Sequence, residues 1–68
     1  MKLAEAMVYA LATSHGGLTT RQLADVINRR ALHRRADGQP VTSSQVYAVA
    51  CHLPAIFARE EGRIRLLM

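Results

Sequence analysis

A chain of 68 residues holds one small domain, and a fold of this size buries only about 60% of the surface its unfolded form exposes. Its residues are 50% hydrophobic, which excludes a disordered chain, while the lack of Trp and the presence of one Phe and two Tyr leave the core to aliphatic side chains. Nine Lys plus Arg against five Asp plus Glu give +4, and eight of the nine cations are Arg, the side chain suited to planar recognition of phosphate, so a polyanionic partner is the first expectation.

From Lys2 to Ser14, the apolar residues Leu3, Met7, Ala10 and Leu11 form one stripe at helical spacing in an alanine-rich background, which predicts a first helix. Gly16-Gly17 then ends it by offering the positive φ that a helix C-terminus commonly needs. The longest apolar run, Ala6 to Ala12, has seven residues, far fewer than the roughly 18 to 20 that span a bilayer. Glu5 interrupts the pattern of a signal peptide, and the single cysteine, Cys51, excludes an internal disulfide framework, so a cytoplasmic protein with no membrane partner is expected.

After a short extended piece near Leu18, the second helix opens with two signals. Thr19 and Gln22 have capping-box spacing, and Leu18 and Leu23 occupy the positions of a hydrophobic staple. Leu23, Val26 and Ile27 form its buried stripe, leaving Arg21, Asp25, Asn28 and Arg29 facing outward or sideways. Ala31 to Pro40 is a basic loop carrying His33, Arg34 and Arg35 ahead of an Asp37-Gly38 turn.

The same helix-start device then recurs, with Thr42 and Gln45 as the box and Val41 and Val46 as the staple, so a third helix runs from Ser43 to His52. Val46, Val49, Ala50 and Leu53 face inward, and Pro54 marks the stop. Ile56 to Leu67 reads as a β-hairpin that reverses at Glu60-Glu61-Gly62. Its inward face is assigned to Phe57, Ile64 and Leu66, with Arg59, Arg63 and Arg65 projecting toward solvent or a ligand. The expected fold is α+β and mostly helical, one domain over residues 1–68, in the element order of a winged helix-turn-helix.

An opening helix, the Gly16-Gly17 step into Leu18-Thr19-Thr20, and Phe57 ahead of a short Gly-containing hairpin ending at Leu66 resemble the winged-helix modules of the HARE-HTH type over nearly the whole chain. The resemblance implies DNA binding, often as an accessory domain fused to restriction nucleases, methylation-linked enzymes or chromatin factors. It therefore raises both a fused or associated enzyme domain and the reading of modified DNA. The chain departs from the pattern in the Arg-rich stretch from Arg29 to Gln39.

In a helix-turn-helix, the N-terminal residues of the recognition helix point at base edges in the major groove. By position that helix is the third, and removal of its inner stripe leaves Ser43, Ser44, Gln45, Tyr47, Ala48 and Cys51. Ser44, Tyr47, Ala48 and Cys51 share one face, where hydroxyls suit phosphates or bases and Tyr47 and Ala48 suit a thymine or methylcytosine methyl group. The plainer alternative commits Ser43 and Gln45 to capping alone and Tyr47 to partial core burial. Flanking phosphate contacts are assigned to Arg29, Arg30, Arg34 and Arg35 on one side and to Arg59, Arg63 and Arg65 on the hairpin. Against this stands the pairing of Arg59 and Arg63 with Glu60 and Glu61 as exposed ions of little energetic weight.

No nucleophile and base stand in a recognisable arrangement, and the only adjacent carboxylates, Glu60-Glu61, lie in a solvent-facing turn, so enzyme activity is not expected. Cys51 and His52 are adjacent on a helix and point apart, with only His15 and His33 remaining, so neither metal nor any other cofactor is expected. Double-stranded DNA is the expected partner, with a protein-interaction winged helix as the alternative.

Overall fold

The computed structural model describes residues 2–14 and 17–67, which fold into three helices and a three-stranded antiparallel sheet. The elements in chain order are α1 (Leu3–Ala12), β1 (Leu18–Thr19), α2 (Thr20–Arg29), α3 (Ser43–His52), β2 (Phe57–Glu60) and β3 (Arg63–Leu66). The Cα radius of gyration is 10.7 Å, against roughly 11 Å for a compact chain of this length. None of the described helices is long and apolar enough to cross a membrane.

The first helix is shorter than the expected Lys2 to Ser14. Lys2 stands at the N-cap with an extended backbone, and Thr13 closes the other end by donating its hydroxyl to the Ala10 carbonyl at 2.9 Å. With no side-chain cap at its start, α1 depends on burial of Ala6, Met7, Ala10 and Leu11. Both capping boxes form as expected. The Thr19 hydroxyl accepts from the Gln22 N–H at 3.1 Å and Gln22 Oε1 accepts from the Thr19 N–H at 3.1 Å, and Thr42 and Gln45 repeat the exchange at 3.2 and 3.1 Å.

His15 and Gly16 lie outside the described residues, but Gly17 is described and has no substitute. Its φ is +83°, and a Cβ there would lie 2.6 Å from the Ile64 carbonyl oxygen, so the β3 backbone passes where any side chain would stand. This close passage precedes the short extended piece near Leu18, which pairs with β3 as an edge strand: Leu18 opposes Ile64 and Thr19 opposes Arg63. β3 is therefore the central strand of the order β1-β3-β2, and the hairpin is tied to the start of α2.

The end of α2 has a tighter stop than the basic loop suggested. The Ala31 N–H bonds to the Asn28 carbonyl at 3.2 Å and the Leu32 N–H to the Ile27 carbonyl at 3.0 Å, the double closure of a Schellman motif, with Ala31 at φ +52° where glycine is usual. Leu32 then packs against the core. Nine residues beyond Leu32, Val41 returns to α2. Asn28 Nδ2 donates to the Val41 carbonyl at 2.9 Å, and the Val41 N–H donates to Asn28 Oδ1 at 2.8 Å. One side-chain amide thus satisfies both backbone groups of the residue before the α3 N-cap, while Val41 itself is buried at 4% exposure.

The core is contiguous and draws on every element except β1: Met7 and Leu11 from α1, Leu23 and Ile27 from α2, Val46 and Ala50 from α3, then Phe57 and Ile64 from the hairpin. Val26, Val49, Leu53 and Leu66, expected inside, are only half-buried at its margin. The hairpin reverses through Glu61-Gly62 alone, at φ +50° and +78°, between the directly paired Glu60 and Arg63. Positive φ at both central residues is the geometry of the tight two-residue hairpin turn.

Three stability changes are expected in urea denaturation. Asn28→Ala strips both partners from the Val41 backbone and costs about 1–3 kcal/mol, and Asn28→Asp does not restore it, because a carboxylate cannot donate to the Val41 carbonyl. Gly17→Ala costs at least about 2 kcal/mol through strain and steric overlap. Ala31→Gly stabilises by about 0.5–1 kcal/mol, because relief of the left-handed strain exceeds the added freedom of the unfolded chain.

Candidate nucleic-acid interface

The twin helix starts leave α3 with one well-defined outer face. Ser44, Tyr47, Ala48 and Cys51 are all exposed along it, as is Ser43 at the first turn. Gln45 is half-buried and its Oε1 accepts from the Thr42 N–H, so its amide is turned back along the helix start. Tyr47 is 50% exposed, so half of its surface is covered while the rest faces solvent.

The arginines divide differently from the two groups expected. On the loop side, Arg29 pairs with Asp25 one turn earlier on α2, and Arg35 is half-buried in its own loop, where it donates to Asp37 at 2.7 Å and to the Pro40 carbonyl at 3.3 Å. Asp37 in turn accepts from the Gln39 N–H at 3.0 Å, so Arg35 and Asp37 together shape the approach to Val41. Arg30 and Arg34 are exposed and make no ion pair or hydrogen bond through their side chains among the described residues.

On the hairpin side, Arg59 does not share a face with Arg63 and Arg65. Cross-strand partners lie on one face, so the pairs Phe57–Leu66 and Arg59–Ile64 place Arg59 with the core-facing residues, whereas Ala58–Arg65 and Glu60–Arg63 occupy the other side. From the rim of that inner face, Arg59 reaches α3. Its Nη1 donates to Tyr47 Oη at 2.7 Å, and its guanidinium carbon lies 5.3 Å from the centre of the Tyr47 ring. The expected alternative of Arg59 and Arg63 pairing with Glu60 and Glu61 does not form; Arg65 pairs with Glu60 at 3.2 Å instead. Counting two residues along the strand from the inward Phe57 leads to the position of Arg59, so the signal was present in the alternation.

Ion pairing thus selects which charges remain available. Asp25, Asp37 and Glu60 are taken up by Arg29, Arg35 and Arg65, and the cations left without a carboxylate among the described residues are Lys2, Arg21, Arg30, Arg34, Arg59 and Arg63. No Asp or Glu occurs from Gly38 to Ala58, the segment that contains all of α3. The outer face of α3 is accordingly free of negative charge over its whole length, with a guanidinium fixed against its central tyrosine.

A double-mutant cycle of Tyr47→Leu with Arg59→Gln is expected to give a coupling of about 0.5–1 kcal/mol in unfolding free energy, the range for an exposed cation–π pair. The same cycle with Arg63→Gln gives none, because Arg63 lies on the opposite face. In comparisons with protein-family models, with curated proteins and with solved structures, the chain finds no match.

Proposed function

We propose that the domain is a winged helix-turn-helix that binds double-stranded DNA, with α3 as the recognition helix in the major groove and the β2–β3 hairpin as the wing. The observation that carries the reading is the distribution of charge. The exposed face of α3 lies in a segment with no carboxylate, and Arg30, Arg34, Arg59 and Arg63, which flank that segment in the sequence, make no ion pair among the described residues. A polyanion gains from each such cation by release of condensed counterions, and phosphate contacts on either side of a groove-inserted helix set its register.

The geometry supports the following division of roles in this reading. Arg30 and Arg34 contact phosphates on one side of α3, and Arg63 on the other. Arg59 braces Tyr47 on the groove-facing surface. Arg29 and Arg35 act in the fold, one as a partner on α2 and the other as the organiser of the loop ahead of Val41.

Titration of the isotope-labelled domain with a short duplex tests the reading. Amide shifts are expected on Ser43 to Cys51, on Arg34 and on the hairpin, with log affinity falling against log salt at a slope of about −0.9 per phosphate contact. Arg30→Ala combined with Arg34→Ala is expected to make that slope shallower by about two contacts without altering thermal stability, whereas Arg35→Ala lowers stability by disrupting its loop. Absence of shifts at low salt overturns DNA binding and leaves the exposed Tyr47, Ala48 and Cys51 as a surface for a protein partner.

A further inference from the structure

We infer that the outer face of α3 reads the C5 methyl group of thymine and does not read guanine, an inference that rests on the DNA-binding reading above. In the major groove, guanine is read by bidentate Arg or Lys, adenine by Asn or Gln, and cytosine by Asp or Glu. None of Arg, Lys, Asn, Asp or Glu occurs in α3. Its one amide, Gln45, is half-buried and accepts from the Thr42 N–H at 3.1 Å, so it is turned from the position that would pair with adenine. His52 lies in the last turn, away from the N-terminal half that enters a groove most deeply.

The nearest guanidinium is engaged as well. Arg59 donates to Tyr47 Oη at 2.7 Å and lies over the tyrosine ring, so one arm of its guanidinium fork is already committed to that side chain. What the outer face of α3 offers over its first two turns is the Ser44 hydroxyl, which serves any base, the uncovered part of the Tyr47 ring and the Ala48 methyl group. Ala48 is small enough to let the helix backbone approach the groove floor. In an unmodified duplex the apolar group displayed there is the thymine methyl, and a helix segment without carboxylates beside the unpaired Arg30 and Arg34 suits a polyanion such as duplex DNA.

The test compares binding of the domain, by fluorescence anisotropy at low salt, to three duplexes of equal length: one with an alternating A·T centre, the same with every central thymine replaced by deoxyuridine, and one with an alternating G·C centre. The thymine duplex is expected to bind tighter than the deoxyuridine duplex by about fourfold for each contacted methyl group, the factor that corresponds to burying one such group. Ala48→Ser, an exposed substitution that leaves the core untouched, is expected to shrink that ratio. Equal affinity for the thymine and deoxyuridine duplexes overturns the inference and leaves DNA binding in place, whereas failure to bind any of the three overturns the DNA-binding reading itself. A ratio unchanged in both Ala48→Ser and Tyr47→Ser also overturns the assignment to α3.

Discussion

The amide of Asn28 occupies the place that a neighbouring strand would take beside Val41, giving and receiving one hydrogen bond with its backbone. Everything between α2 and α3 depends on this clamp. The connection is long for two helices that pack together, and a loop of that length is favourable only if its far end is pinned where the next helix must begin. Val41 is that far end. Its buried side chain enters the core, its backbone is satisfied by Asn28, and Thr42 immediately caps α3. The direction of α3, and with it the orientation of the outer face, is set at this one residue.

The charges are arranged with the same economy. Exposed ion pairs contribute little to stability, so Asp25, Asp37 and Glu60 matter less for the energy they supply than for the arginines they occupy. Arg35 illustrates the difference between a charge that shapes a loop and one that is left exposed. Its guanidinium spans Asp37 and the Pro40 carbonyl, and so straightens the path into Val41, whereas its neighbour Arg34 is exposed with no such task. Two consecutive arginines thus have different surroundings.

The pairing of Arg59 with Tyr47 joins the sheet to the helix face across the edge of the core. It exists because strand alternation places Arg59 on the inner side of β2, where a hydrophobic residue would be expected, at the point where the sheet overhangs α3. A long amphipathic side chain at such a margin lays its stem along apolar surface and carries its charge outward. The result is a tyrosine held in one position on a helix face whose other residues, Ser44, Ala48 and Cys51, are small, and this shapes what the face is able to touch.

Most of the local structure was legible in the residues themselves. The twin capping boxes, the Pro54 stop and the Gly62 reversal each rest on a hydrogen bond or a dihedral preference within a few positions, so sequence spacing suffices to state them. The element order and the location of α3 followed from the same signals. What sequence could not decide were the partners that only packing brings together: Asn28 with Val41, thirteen positions apart, the Gly17 contact with the β3 backbone, and the choice of which arginines meet a carboxylate. Arg29, Arg30, Arg34 and Arg35 look equivalent along the chain because charge carries no direction there. The fold distinguishes them, since an ion pair or a backbone carbonyl within reach is a property of three-dimensional position and not of residue type.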